Sequence, residues 1–321
     1  MSALDKRESG VLLHISSLPS PFGVGDLGTC AHDFVDFLSA ASQRYWQILP
    51  LNPTDYAFDH SPYHSYSSFA FNPLFIAPEM LLKEGWLVKS DLSHPPIFPP
   101  EKVDFKKVSR FKRKILHRAY EGFKKKREGD NFEIFCVKNA SWLDDHSLFV
   151  ALKSRFCGKS WNEWPPEIRD RNPAAVRTAR KELHDEMQKE KFLQYVFAKQ
   201  WDRLKSTCSK NGILIFGDLP IYVVYDSVDL WKHPELFKLD SFRKPYVVAG
   251  VPPDYFSNTG QLWGNPIYRW DVMKQTGYDW WVKRLEHNLG LYDLVRIDHF
   301  RGFVGYWEVP AKEKTAMNGK W

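Results

Sequence analysis

The chain lacks several features that would define its class at once. Its 321 residues include only four cysteines, Cys30, Cys136, Cys157 and Cys208, and none stands in a Cys-x-x-Cys pair. That spacing excludes the usual zinc patterns and a disulfide framework, and it fits a reducing compartment. No apolar run approaches the roughly 18 residues that a membrane-spanning helix needs. The opening stretch, residues 1–8, carries charge where a secretory signal would be apolar. A cytoplasmic protein with no membrane partner is therefore expected. There is no internal repeat, no low-complexity tail and no Gly-x-Ser-x-Gly elbow of a serine hydrolase.

What is abundant is aromatic: 13 Trp, 14 Tyr and 23 Phe. Trp and Tyr combine an apolar ring face with a polar tip. Sugars have the matching character, apolar C–H faces rimmed by hydroxyls, so the composition favours a carbohydrate ligand. Most of these rings must still serve the core. The formal charge of +6 invites a nucleic-acid reading. However, the basic residues concentrate in stretches such as 106–114 and 124–127, where they alternate with apolar residues at helical spacing. Such runs are solvated helix faces, and no recognition motif accompanies them. No nucleic-acid partner is expected.

Four short apolar runs, 10–15, 45–50, 212–216 and 291–297, have the character of buried parallel strands. Helical spacing over 29–41, 189–209 and 278–289 completes a βαβ…αβαβ order, an α/β sheet or barrel. The charged segment between the second and third runs reads as a mostly helical insertion, which divides the chain into 1–79, 80–195 and 196–321. Residues 23–28 match Gly-x-Gly-x-x-Gly, but Pro19 and Pro21 separate that turn from the preceding strand. A dinucleotide site needs the strand to run straight into the glycines. The match is set aside as a glycine-rich turn.

Two strand ends carry carboxylates. In Leu294-Val295-Arg296-Ile297-Asp298-His299, alternation sends Arg296 and Asp298 to one face. A guanidinium beside a carboxylate favours the anion that a nucleophile needs. An ion pair closing a strand explains the same spacing. Asp218 ends the third run in the same manner, or else caps a turn. The segment 250–268 reads as a long irregular loop in which Tyr255 and Trp263 offer stacking faces and Asn258, Gln261 and Asn265 offer amides. Residues 61–66 offer the same chemistry with Tyr63 and Tyr66. His60 and His64 are four apart, but Pro62 breaks the helix that a metal pair would want. Asp144, Asp145 and His146 read as a helical turn more readily than as metal ligands.

Taken together, the stretches SSLPSPFGVGDLG, LPLNPT, SPYHSYSSFAFNPLFI, GDLPIYV, DSVDLWKHPELF, VAGVPPDYFSNTGQLWGNPIYRW, LVRIDHFRGF and YWEVPAKEKTA resemble glycoside hydrolase family 77, the 4-α-glucanotransferases or amylomaltases. The charged insertion matches loosely. The resemblance implies a (β/α)8 TIM barrel with inserted subdomains that transfers α-1,4-glucan segments between maltooligosaccharides or longer glucans, with no metal or other cofactor. It places Asp298 at the nucleophile, with Arg296, His299, Asp218, Trp263, Tyr63 and Asn265 at substrate contacts. Tyr56 falls at a second glucan site outside the cleft. The family's acid/base glutamate, in an AEDLG-like motif, and its third aspartate, in a THD-like motif, have no counterpart in the chain. The expectation is four barrel strands of eight and a chain inactive by itself. The alternative is a non-catalytic glucan-binding fragment or pseudoenzyme.

Overall fold

The computed structural model describes residues 6–55, 59–126 and 129–321. Tyr56 lies outside the described residues, as do residues 1–5 and Arg127.

Four parallel strands form one sheet: β1 (Gly10–Leu12), β2 (Tyr45–Gln47), β3 (Leu214–Pro220) and, from the fourth apolar run, β6 (Leu294–Asp298). Their order in the sheet is β1-β2-β3-β6, and every pairing is parallel. All four sequence runs are thus strands, and the α/β fold is the one expected. Of the four, β3 is the most fully buried, while Gly10 and Leu12 of β1 and Arg296 of β6 are exposed. Trp46, Ile48 and Ile215 lie at the centre, essentially without exposure.

The helices are α1 (Thr29–Ala40), α2 (Pro78–Lys83), α3 (Phe105–Lys125), α4 (Asn131–Lys138), α5 (Ala140–Arg155), α6 (Pro166–Arg169), α7 (Pro173–Glu182), α8 (His184–Lys210), α9 (Val228–Lys232), α10 (Trp270–Gln275) and α11 (Asp279–Leu291). Asp104 caps α3 by accepting from the Lys107 amide at 3.0 Å. That helix buries Val108, Phe111, Ile115, Leu116 and Ala119 and leaves most of its lysines and arginines in water. The segment between β2 and β3 is helical, and α8 runs through residue 195 without a break.

From α8, two buried glutamines reach the chain that follows β2. Gln194 accepts from the Phe71 amide at 2.8 Å and donates to the Phe71 carbonyl at 3.0 Å. Gln200 does the same to Ala77, at 2.8 and 3.2 Å. A side-chain amide offers both a donor and an acceptor in the geometry of a peptide, so each glutamine satisfies a buried backbone unit on both counts.

A second sheet is antiparallel, in the order β5-β4-β7, from β4 (Val247–Val251), β5 (Gln261–Pro266) and β7 (Trp307–Pro310). β5 occupies part of the stretch read from sequence as irregular loop, which leaves 252–260 as the connection. Gly264, Asn265 and Pro266 are poor strand formers, and β5 tolerates them because it is an edge strand.

The glycine-rich turn closes on protein rather than on an anion. Asp26 accepts from the Gly28 amide at 3.1 Å, and Glu79 accepts from the Thr29 amide at 3.1 Å. Two carboxylates therefore occupy the N-terminus of α1, where a pyrophosphate would have to sit. Beneath them Lys112, wholly buried, donates to Asp26 at 3.0 Å and to the Ile76 carbonyl at 2.7 Å. This pair ties α3 to the first turn of the sheet. Removing one partner leaves a buried charge uncompensated, which costs about 3–5 kcal/mol. Lys112→Met is therefore expected to lower unfolding free energy by about that amount in urea titration, while the exposed Lys114→Met changes it by under about 0.5 kcal/mol. Equal effects from the two would show that the pair is not holding the insertion.

Candidate active site

The β3–β6 register sets the geometry of the site. Asp218 is the direct neighbour of Arg296, and Pro220 of Asp298. Alternation then points Asp218, Arg296 and Asp298 to one side of the sheet at its carboxyl end. Arg296 Nη1 donates to both oxygens of Asp218, at 2.8 and 2.9 Å, while its Nη2 donates to Asp298 Oδ1. A single guanidinium thus bridges two carboxylates. Tyr63, from the loop after β2, donates its hydroxyl to Asp218 Oδ2 at 2.6 Å.

The two aspartates differ in what remains open. The Asp218 side chain has no exposure, whereas that of Asp298 is 38% exposed. Both oxygens of Asp218 are taken. Asp298 Oδ2 has no hydrogen-bond partner among the described residues. Burial pushes the Asp218 carboxyl up from the ordinary carboxylate value, and the Tyr63 hydroxyl and Arg296 guanidinium pull against it. The Tyr63 hydroxyl is pushed up by burial and by its bond to Asp218.

Aromatic rings wall the other side. His299 follows β6 with φ 51°, a left-handed conformation that turns the chain away from the sheet. Its ring meets Trp263 edge-on at 4.9 Å and lies 6.3 Å from Tyr222. Burial lowers the His299 pKa, with Asp298 opposing, so the neutral ring is favoured. Its Nε2 is buried without a partner among the described residues. A Cβ at Gly302 would fall 3.2 Å from the His299 ring and 2.6 Å from Ile221, so glycine is what allows this close approach.

Of the seven residues singled out from sequence, the structure brings six together: Asp298, Arg296, Asp218, Tyr63, His299 and Trp263. Asn265 is engaged elsewhere, donating to the Val223 carbonyl at 3.0 Å. Gln261 accepts from the Trp263 indole at 3.2 Å. Tyr222, against both His299 and Trp263, was missed. Its only sequence signal was its position four residues after Asp218. Among the described residues no three His, Cys, Asp or Glu side chains stand where they could hold a metal. His146 faces Glu190, and Asp144 pairs with Lys191. No described helix is long and apolar enough to cross a membrane.

Carboxylates bridged by an arginine at the carboxyl ends of parallel strands, walled by Trp, His and Tyr, define an α/β protein with a polar, aromatic-sided strand-end site. The chain belongs to the 4-alpha-glucanotransferase family, glycoside hydrolase family 77, whose model matches residues 13–321. It is 48% identical to the 4-alpha-glucanotransferase of Thermus thermophilus over 98% of its own length and 62% of that protein. With the chloroplastic/amyloplastic 4-alpha-glucanotransferase of Solanum tuberosum it shares 38% identity, over 99% of the chain and 56% of the relative. Among solved structures, the amylomaltase from Streptococcus agalactiae in complex with acarbose superposes with a TM-score of 0.94 at 42% identity, covering 98% of this chain and 64% of that one. The chain thus spans about three-fifths of the length of the relatives it matches.

The Tyr63 hydroxyl draws the Asp218 titration downward. Tyr63→Phe removes that donor, so Asp218 is expected to titrate at higher pH, followed by carboxyl-carbon NMR in labelled protein. An unmoved titration would show that the hydroxyl does not act on the carboxylate.

Proposed function

We propose that this chain carries the nucleophile and part of the sugar-binding wall of a retaining 4-α-glucanotransferase, and that Asp298 is the nucleophile. The observation that carries this reading is the asymmetry of the two aspartates on Arg296. Asp218 is buried with both oxygens occupied, while Asp298 keeps one oxygen open toward solvent. A nucleophile needs an unengaged lone pair and a fixed orientation, and only Asp298 has both.

In this reading Asp298 attacks the anomeric carbon of an α-1,4-linked glucose, the glycosidic bond breaks, and a covalent glycosyl-enzyme forms. The leaving oxygen takes a proton from a second carboxyl group, which then receives the proton of an acceptor's 4-hydroxyl. Arg296 holds the charge and direction of Asp298. Trp263 stacks on a sugar face, and His299 contacts the same sugar. Asp218 and Tyr63 act as a braced pair contacting that sugar, with Asn265 at the margin. The four parallel strands are then the first four of a (β/α)8 barrel, with 80–195 an insertion on it. Maltooligosaccharides or longer α-1,4-glucans are the substrates, and the chemistry calls for no metal, other cofactor or nucleic acid. The four free cysteines accord with a reducing, cytoplasmic setting.

The proton donor is not Glu308, the nearest glutamate to Asp298 in sequence. Its carboxylate is held by Lys238 at 2.6 Å and Lys320 at 3.4 Å in the antiparallel sheet. The family resemblance puts the donor in an AEDLG-like motif, which residues 1–321 do not contain. A glucan-binding role without turnover is accordingly the second reading for these residues alone.

In the complete enzyme, Asp298→Asn is expected to lower kcat by about 10⁴-fold or more, roughly 5–6 kcal/mol. A fluorinated glycosyl donor should label a peptide containing Asp298 by mass spectrometry; label confined to another carboxylate would remove the assignment. Trp263→Ala should reduce kcat/KM on maltooligosaccharides by about two- to tenfold, matching about 0.5–1.5 kcal/mol for a ring contact. An unchanged kcat/KM in a folded variant would make Trp263 purely a packing residue. Residues 1–321 by themselves should release no glucose from maltotriose. Release that vanishes with Asp298→Asn would mean that a carboxylate within this chain supplies the proton.

A further inference from the structure

The junction of α5, α7 and α9, together with the turn after α6, holds a cluster of charges that the glucan site does not use. Asp145, buried on α5, accepts from Arg171 Nη2 at 2.7 Å and from Arg180 Nη2 at 3.1 Å, both on the same oxygen. Its other oxygen faces Lys232 Nζ at 3.0 Å. Three cations therefore converge on one carboxylate, and among the described residues no other acid lies within ion-pair distance of any of them. The candidate active site balances its charge differently: Arg296 alone serves two aspartates.

Two further atoms of the cluster are unsatisfied. Arg171 Nη1 and Arg180 Nε are buried and have no acceptor among the described residues. Leaving a charged donor buried and unpaired is costly, which adds to the unbalanced charge of the cluster. The side chains are nevertheless held in place. The Arg171 guanidinium lies 4.2 Å from the ring centre of Trp231, itself without exposure, and Arg171 takes φ 57°, a strained conformation for a residue other than glycine. Lys232 is anchored by the Ser141 carbonyl at 2.6 Å. The cations remain reachable, since their side chains are between 23% and 40% exposed while Asp145 at the base is 10% exposed.

We propose that Arg171, Arg180 and Lys232 form a binding site for a phosphate dianion or a phosphate monoester, seated over Asp145 and separate from the glucan cleft. A phosphoryl group at neutral pH carries about −1.5 to −2 charges and three acceptor oxygens. It neutralises the excess of two positive charges and accepts from the exposed parts of the three side chains. Arginine forks suit this ligand because their parallel N–H groups match the spacing of phosphoryl oxygens. A carboxylate brings one charge and two oxygens and would leave the cluster under-neutralised. Burial works against the Asp145 anion, but the neighbouring arginines and Lys232 hold its carboxyl below the usual range, so it stays charged and sets the floor of the site.

The test is calorimetric titration of the full-length protein with inorganic phosphate, with chloride at matched ionic strength as control. Saturable one-to-one binding and a rise in Tm that follows mass action are expected for phosphate and not for chloride. Arg180→Met, on the most exposed of the three cations, should weaken binding by at least about tenfold, as expected for the loss of one charge-assisted hydrogen bond. Arg180→Lys should recover part of the loss. Asp145→Asn removes the only opposing charge and should tighten binding in folded protein. A parallel titration with a hexose phosphate distinguishes the sources. Tighter binding than phosphate assigns a phosphorylated sugar, and equal binding assigns free phosphate. A phosphate response no different from chloride, or an Arg180→Met variant that binds as the parent does, would overturn the site.

Discussion

The arrangement of the candidate site depends on the register between β3 and β6. With Asp218 opposite Arg296, one guanidinium reaches both carboxylates at the strand ends. A slip of one residue would send Arg296 to the opposite face and strand Asp218 as a buried, uncompensated anion. The pairing is thus enforced by electrostatics as well as by the apolar strands. Tyr63 adds a third segment to the same carboxylate, so that β3, β6 and the loop after β2 meet at Asp218.

Holding that loop in place requires support from well outside the sheet. Its far side is fixed where Ser68 donates its amide to buried Asp229 on α9 at 2.9 Å. Beyond it, Phe71 and Ala77 are clamped by Gln194 and Gln200 from α8. A long helix whose buried side chains carry amides can brace irregular chain that has no sheet partner, because each amide replaces a missing backbone hydrogen bond. The helical segment between β2 and β3 consequently does more than decorate a loop. Through α8 it sets the position of the chain that presents Tyr63.

The antiparallel sheet contributes the remaining wall. β5 carries Trp263 to His299, and the left-handed turn at His299 brings that ring to meet it. The same α9 that anchors Ser68 through Asp229 offers Trp231 and Lys232 to the Asp145 cluster. One short helix therefore borders both the loop that presents Tyr63 and the cationic basin. The two arginine sites differ in balance: Arg296 is shared between two acids, whereas three cations crowd a single aspartate.

Much of this architecture is legible in the order of the residues alone. The parallel strands announce themselves as short, mostly apolar runs bounded by polar or proline-rich segments. Alternation places Asp218, Arg296 and Asp298 at strand ends, and the motifs around them identify the family. Other features are decided in three dimensions. β5 is hidden in the sequence because Gly264, Asn265 and Pro266 carry little strand propensity, and its neighbour β4, itself paired with β7, supplies the hydrogen bonding instead. Asn265 has the chemistry of a ligand contact, but the Val223 carbonyl takes its amide. Tyr222 joins the site only because chain distant in sequence folds His299 and Trp263 against it. The difference between two chemically identical aspartates, one sealed and one with an open oxygen, is also invisible in the sequence. Side-chain type and local period are properties of neighbours along the chain. Burial, hydrogen-bond saturation and net local charge are properties of neighbours in space, and these separate the proposed nucleophile from its brace.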